Sequence, residues 1–307
     1  MPDRRTLVVV RCGDDSLHHK WLSNNRTWDL AVSSFSRDLE RPYPEADFVH
    51  RRQGGKWDGL FDFFASFPQT LEAYDYFWFP DDDLAATPSD VEGTFEAMRR
   101  YGLALAQPSL SKDSYLSHLI TLSNPAFEYR NVNFVELMAP ALSRSLLRAV
   151  LPLLASTRSG FGLDFIWQRL VDDPRRQVAI IDSVSVTHTR PFGGALHHMM
   201  KTQGMTAAGQ EQDQMLERYG GRITIEATTG GMLKSRQYVR SRWLAATIAA
   251  AGWIASPSGH RGFSGPIPAR RFVLWTLRHW LFSLTTSLNL SRLELPIAEP
   301  ATPRTGG

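Results

Sequence analysis

The sequence has a single cysteine, Cys12, in 307 residues, so a scaffold stapled by disulfides within the chain is excluded. It also lacks an uninterrupted apolar run of roughly 18 residues, the length that predicts a membrane-spanning helix. The first apolar stretch, residues 7–10, is too short for a secretory signal. The 22 glycines and 18 prolines follow no period, which excludes a collagen-like chain. These absences predict a globular cytoplasmic protein.

Charge is unevenly distributed along the chain. Residues 227–293 contain nine Lys or Arg, no Asp or Glu, and four of the nine tryptophans. The rest of the chain has 25 basic and 31 acidic residues. We therefore predict a first domain at residues 1–228, a basic, tryptophan-rich helical region at 229–295, and a disordered tail at 296–307.

The first domain alternates short apolar runs with helical patterns, which is typical of layered α/β folds. The predicted strands are residues 7–10, 28–35, 47–50, 74–79, 103–106, 134–138 and 178–186. The predicted helices are residues 60–73 (interrupted at Pro68), 89–101 with Ser89 as N-cap, 143–154 and 163–171, followed by 238–254 and 272–290.

Three aspartates, Asp81, Asp82 and Asp83, directly follow the aromatic strand at residues 74–79. Ligands of open α/β sheets bind at the carboxyl ends of strands. Adjacent carboxylates repel one another unless a cation is present, so the run predicts a divalent metal with oxygen ligands. A solvated acidic loop is the alternative. An aspartyl-nucleophile phosphatase is a weaker one, because Ala85 stands where that pattern has Thr or Val.

Two later segments also have the composition of a site. Glycines precede Asp164 in the first turn of a predicted amphipathic helix, where an aspartate often serves only the helix dipole. His188 follows the predicted strand at 178–186, and a polar group at a third strand end is a candidate ligand. Gln107 and Glu136 are further candidates for contact with a substrate.

The order of these segments resembles the glycosyltransferases of the GT-A fold. Shorter motifs resemble, more closely, a plant and bacterial family named domain of unknown function 707. This second resemblance spans about residues 7–193. Its motifs are Asp14-Ser16-Leu17-His18 with Trp21, Lys56-Trp57, residues 78–84, residues 134–140 with Ser143-Arg144, residues 162–165, and Ile181-Asp182-Ser183 with His188.

The GT-A resemblance implies a Rossmann-like mixed sheet flanked by helices that binds a nucleotide sugar. It implies that Asp81, Asp83 and His188 hold Mn²⁺ or Mg²⁺ on the diphosphate, with Asp82 able to replace either aspartate. Asp164 becomes the base that deprotonates the acceptor. Residues after early strands would contact the nucleotide and its phosphates: Arg11, Asp14 and Lys56.

The implied function is a metal-dependent glycosyltransferase that moves a sugar from a nucleotide-sugar donor to a glycan or lipid-linked acceptor. A non-catalytic domain that binds sugar nucleotides or glycans and a nucleotide-sugar hydrolase are the alternatives. The basic region either packs as two helices on the catalytic domain or lies on an anionic membrane, at the inner face. No nucleic-acid-binding motif accompanies its charge, so we expect no nucleic-acid partner.

Overall fold

An eleven-stranded sheet forms the centre of the computed structural model, which describes residues 5–191, 207–220, 223, 225–256, 260–262, 265–288 and 290–293. The strands are β1 Thr6–Cys12, β2 Asp29–Ser34, β3 Phe48–Arg51, β4 Tyr76–Trp78, β5 Leu84–Ala85, β6 Leu105–Leu110, β7 Tyr115–Leu116, β8 Phe127–Val132, β9 Ala141–Ser143, β10 Val178–His188, β11 Thr228–Leu233, β12 Tyr238–Val239, β13 Arg261–Gly262 and β14 Gly265–Pro266. The helices are α1 Lys56–Ser66, α2 Thr70–Ala73, α3 Pro88–Tyr101, α4 Arg144–Leu154, α5 Pro174–Gln177, α6 Ala207–Arg218, α7 Arg242–Ile254 and α8 Ala269–Thr285.

The sheet is mixed: ten strands follow the order β12-β11-β8-β10-β6-β9-β4-β1-β2-β3, and the eleventh, β5, pairs with β10. The pairs β4–β1, β1–β2, β2–β3 and β6–β10 are parallel. Strand β9 is antiparallel to both β4 and β6, and β8 is antiparallel to β10 and β11. The predicted α/β class, a mixed sheet flanked by helices, is confirmed.

Side chains on the two faces of the sheet form two apolar layers. Because successive residues of a strand point to opposite faces, Leu7 and Val9 belong to one layer and Val8 and Val10 to the other. The first layer includes Trp57 of α1, and all four β1 side chains are fully buried. Burying each such aliphatic side chain is worth roughly 1.5–3 kcal/mol.

The structure tests two details of the predicted helices, the break at Pro68 and the N-cap of α3. The break at Pro68 is confirmed, since α1 and α2 lie on either side of it. The N-cap of α3 is Thr87 and not Ser89, because Pro88 takes the first helical position. The Thr87 hydroxyl accepts a 3.3 Å hydrogen bond from the backbone N–H of Asp90.

Two predicted elements differ in kind from the structure. The strand predicted at 134–138 is absent, and β8 lies just before it. Side chains bind backbone groups in this segment, since the N–H of Glu136 donates to Gln107 Oε1 at 2.6 Å. The helix predicted at 163–171 is two short 3-10 turns, Leu163–Phe165 and Trp167–Leu170. Ile166, with φ of −119°, interrupts the helical path between them.

The basic region contributes strands to the main sheet as well as helices. Strand β11 crosses the predicted boundary at 228/229 and pairs with β8. Helix α7 begins at Arg242, later than predicted, because Tyr238–Val239 pairs with β11 as β12 and Ser241 caps the helix. In the part of the chain that the structure describes, no helix is long and apolar enough to cross a membrane. The predicted disordered tail, 296–307, lies outside the described residues.

Candidate active site

The acidic turn leaves the sheet where β4 ends and returns as β5. The N–H of Asp81 donates to the carbonyl of Met138 at 2.8 Å, which holds the start of the turn. Strand β5 pairs antiparallel with the end of β10, with Leu84 opposite His188. This register brings His188 beside Asp83, although the two residues are far apart in the sequence.

Asp83 and His188 form the central contact of the site. Their Oδ2 and Nε2 atoms are 3.3 Å apart; Asp83 is buried and His188 is partly buried. His188 Nδ1 donates to the carbonyl of Tyr115 at 3.0 Å, which turns Nε2 toward the carboxylate. Burial opposes the charged imidazole, but the hydrogen bond and charge of Asp83 raise the pKa of His188 to about 9.

Asp81 is held by a lysine. Lys56 Nζ donates to Asp81 Oδ1 at 2.6 Å and to the carbonyls of Leu137 and Met138 at 2.8 Å each. These three bonds use every N–H of the ammonium group. Burial raises the pKa of Asp81, and the charge of Asp83 adds to this effect against the opposing charge of Lys56.

Asp82 points toward the loop after β1. Its Oδ2 accepts a 2.7 Å hydrogen bond from the N–H of Gly13, and Oδ1 lies 3.5 Å from Arg190 Nη1. Burial raises the pKa of Asp82 to about 6. A Cβ at Gly13 would lie 2.8 Å from the Phe35 ring, so glycine permits this close contact between the two loops.

The structure places Arg11 and Asp14 at the carboxyl end of β1, in different environments. Arg11 is buried, and its terminal nitrogens donate to the Ser33 hydroxyl at 2.9 Å and to the carbonyls of Arg52 and Gly54 at 3.0 Å each. Burial lowers the pKa of Arg11 to about 10. Asp14 is exposed and accepts a hydrogen bond from the Ser36 hydroxyl.

A second set of ionisable groups surrounds Asp164. His118 Nδ1 hydrogen-bonds Glu226, and His118 Nε2 lies 4.0 Å from Glu136. Burial favours the neutral imidazole, yet Glu226 and then Glu136 raise the pKa of His118 to about 10. Burial raises the pKa of Asp164 to about 7 and also raises the pKa of Glu136, while the charge of His118 opposes both shifts.

Three buried side chains beside His118 each keep one polar atom without a hydrogen-bond partner among the described residues. These atoms are Asp164 Oδ1, Glu136 Oε2 and Gln107 Nε2. Buried polar atoms are normally paired, so these three side chains have unused capacity to bind hydroxyl groups. Asp164, Glu136 and Gln107 are candidates from the sequence, whereas His118 and Glu226 lie in no local motif that would indicate them.

The donor chemistry fits a divalent metal at Asp83 and His188. Asp83 Oδ1 is buried with no hydrogen-bond partner in the described part of the chain. A histidine that donates one ring N–H to a carbonyl and presents the other nitrogen is typical of a metal ligand. Asp81, the third predicted ligand, is bound instead by Lys56. Among the described residues, no three His, Cys, Asp or Glu side chains converge to hold a metal ion.

Several solved structures are similar to the chain. Glucosyl-3-phosphoglycerate synthase from Mycobacterium tuberculosis, in complex with Mn²⁺, UDP-glucose and phosphoglyceric acid, has 15% identity and a TM-score of 0.44 over 78% of this chain and 87% of that chain. Mannosyltransferase PcManGT from Pyrobaculum calidifontis, in complex with GDP-Man and Mn²⁺, has 12% identity and a TM-score of 0.43, with 70% and 66% covered. S. aureus TarS has 9% identity and a TM-score of 0.40, with 70% and 42% covered.

The sequence itself matches a protein family. No curated protein matches the chain. The family described as Protein of unknown function (DUF707) matches residues 45–227, more than half of the chain. The chain belongs to the DUF707 family, as its motifs predict.

Proposed function

We propose that the chain is a metal-dependent glycosyltransferase that moves a sugar from a nucleotide-sugar donor to a hydroxyl of a glycan or lipid-linked acceptor. The observation that carries this proposal is the presence of two separate groups of ionisable residues beside one sheet. Asp83 and His188 have the donor chemistry for a metal. Asp164, Glu136 and Gln107 have unpaired buried atoms that suit a hydroxyl-bearing substrate.

On the donor side, Asp83 and His188 would hold Mn²⁺ or Mg²⁺, with Asp81 as the third ligand. When bound, the metal neutralises charge on the leaving diphosphate. Lys56 and the terminal nitrogens of Arg11 already donate to the protein. We therefore assign these two residues to positioning Asp81 and the loop after β3. Asp14, which is exposed, and Asp82 are the proposed contacts to the nucleotide.

On the acceptor side, Asp164 is the proposed base. With a pKa of about 7, a large fraction of Asp164 is ionised near neutral pH, and the carboxylate still binds a proton well enough to act as a base. The acceptor hydroxyl gives its proton to Asp164, and its oxygen forms a bond to the anomeric carbon. The bond from that carbon to the diphosphate oxygen breaks, and the diphosphate leaves with the electron pair. A positioned base favours inversion at that carbon.

The test separates binding from turnover. We expect one nucleotide sugar to raise the melting temperature in a Mn²⁺-dependent way, and Asp83→Ala to abolish that shift. Asp164→Asn should keep the rise in melting temperature but lower the rate of sugar transfer by about 100-fold or more. The exposed Asp172→Asn is the matched control.

Other outcomes identify the alternatives. If a nucleotide sugar raised the melting temperature of the unmodified chain but the chain neither transferred nor released the sugar, it would be a binding domain. If the chain released the sugar only to water, it would be a hydrolase. No shift with any nucleotide sugar would contradict the proposal.

A further inference from the structure

Two helices of the basic region present apolar side chains to solvent. On α8, Leu274, Leu277 and Leu281 lie at helical spacing and are 66%, 44% and 50% exposed. On α7, Trp243 and Ile254 are 66% and 48% exposed. Together these five residues are called the apolar face. Exposed apolar patches of this kind mark interaction sites.

The exposed sides of the two helices adjoin. Trp280 Nε1 of α8 donates to the hydroxyl of Thr247 on α7 at 3.1 Å. Thr247 in turn donates to the carbonyl of Trp243 at 2.8 Å, one turn away on α7. The hydrogen bond between Trp280 and Thr247 therefore joins α8 to α7, and the side chains of the apolar face lie on both helices beside it. One flat partner can contact both helices at the same time.

The charge beside the apolar face has one sign. Arg270, Arg271 and Arg278 are exposed on α8, adjacent in the helix to the leucines. Residues 227–293 contain no Asp or Glu. A helix with leucines on its outer side and arginines along it is typical of segments that lie in the plane of an anionic bilayer.

An arginine-lined cavity lies at the first turn of α7. It has a volume of about 210 Å³, and Arg242, which precedes Trp243 in the sequence, forms part of its wall. Its lining, as far as the structure describes it, contains no acidic residue and consists of Arg175, Arg176, Thr229, Tyr238, Arg240, Arg242 and Leu288. Arg242 Nη2 donates to the carbonyl of Thr286 at 2.8 Å, which fixes one side. Guanidinium groups bind phosphate oxygens through paired hydrogen bonds.

We propose that the apolar face docks on an anionic phospholipid bilayer, with the arginine-lined cavity receiving a lipid phosphate. The leucines and Trp243 enter the interface between headgroups and acyl chains, and the arginines contact the headgroups. This inference does not depend on the proposed sugar transfer, since none of its residues lies in the candidate active site.

Co-sedimentation of the full chain with vesicles tests the proposal. The chain should bind vesicles of phosphatidylcholine mixed with phosphatidylglycerol and not those of phosphatidylcholine alone. Leu274→Glu with Leu277→Glu should weaken binding by about tenfold or more. The control is Leu39→Glu, a leucine that is 61% exposed in the loop after β2.

The role of the cavity is tested by removing two of its positive charges. Arg175→Gln with Arg240→Gln should weaken binding by about 30-fold, because each basic group near the surface contributes about 1 kcal/mol. The control for net charge is Arg99→Gln with Arg100→Gln on α3, where both arginines are exposed. Unchanged melting temperatures would confirm that the variants fold.

Three results would overturn the proposal. One is failure of the unmodified chain to bind anionic vesicles, whatever its activity in solution. Another is equal loss of binding in variants and controls. The third is a dimer that the leucine variant converts to monomer without any vesicle binding, which would show that a second copy of the chain covers the apolar face.

Discussion

Lys56 Nζ lies 2.6 Å from Asp81 Oδ1, so a lysine ammonium holds the carboxylate that the sequence assigns to a metal. An ammonium group and a divalent cation compete for the same carboxylate oxygen. We therefore propose that Lys56 sets how readily Asp81 joins Asp83 and His188 as the third ligand of the proposed metal.

Lys56→Met should therefore have opposite effects in the absence and presence of Mn²⁺. Without metal, Asp81 loses its ammonium partner, and because its side chain is 38% exposed the free energy of unfolding should fall by only about 1 kcal/mol. With Mn²⁺, the melting temperature should rise more in the variant than in the unmodified chain. Lys112→Met, at an exposed lysine, is the control. Equal Mn²⁺ effects in all three proteins would mean that Lys56 does not compete with metal.

The ion pair between His118 and Glu226 should make stability depend on pH. The pKa of His118 is raised from 6.5 to about 10, so its contribution is complete below about pH 6.5 and is lost as pH rises through about 10. The charge of His118 lowers the pKa of Glu226, despite its burial. The contribution of Glu226 is therefore lost on acidification.

Glu226→Gln should reduce the free energy of unfolding near pH 6 by roughly 1–3 kcal/mol and flatten its dependence on alkaline pH. Urea titrations between pH 6 and pH 10 measure both effects. The control is Glu217→Gln, at an exposed position on α6. If the free energy of unfolding fell with rising pH as steeply in the variant as in the unmodified chain, a group other than this ion pair would cause the pH dependence.

Gly59 of α1 makes room for Arg11. A Cβ at this position would lie 2.5 Å from Arg11 Cζ, so Gly59→Ala should displace the guanidinium and destabilise the fold by about 1–3 kcal/mol. Gly209→Ala on α6 is the matched control, because no atom of the residues that the structure describes lies within 4 Å of its added Cβ. There we expect a gain of up to about 1 kcal/mol. Thermal unfolding compares the two, and equal changes would show that Arg11 adapts freely.

The basic region should be required for folding of the first domain. Trp253 of α7 is fully buried, its Nε1 donates to the carbonyl of Leu122 at 3.2 Å, and Arg130 stacks on its ring at 4.8 Å. A chain ending at residue 228 should therefore lose cooperative thermal unfolding, whereas one ending at residue 293 should keep it. Cooperative unfolding of the shorter chain at the full-length melting temperature would instead establish residues 1–228 as an independent domain.

Elements with a strong local signal could be predicted from the sequence. Three local signals indicate the structure directly. The apolar run predicts β1, the aromatic run before the three aspartates predicts β4, and the proline predicts the break between α1 and α2. The strand predicted at 134–138 was wrong because Phe134 and Val135 are buried without joining a ladder. Burial and strand pairing both select apolar residues, and a single sequence does not separate them.

Contacts between distant segments account for most of what the sequence did not predict at the site. His118 and Glu226 are 108 residues apart, and neither lies in a motif. Their contact depends on how β11 and the segment before it are placed beside β8, which is a property of the whole sheet. Lys56 was predicted near the phosphates, but its three hydrogen bonds depend on the backbone at Leu137 and Met138.

The pairing of Leu84 with His188 limits changes in chain length. Five residues connect the end of β4 to Leu84, and β5 is only two residues long. Inserting or deleting one residue in this connection would shift the register and turn the aspartate beside His188 toward the opposite face. The acidic turn can therefore accept substitutions more readily than insertions or deletions, and related chains with a working site should keep this spacing.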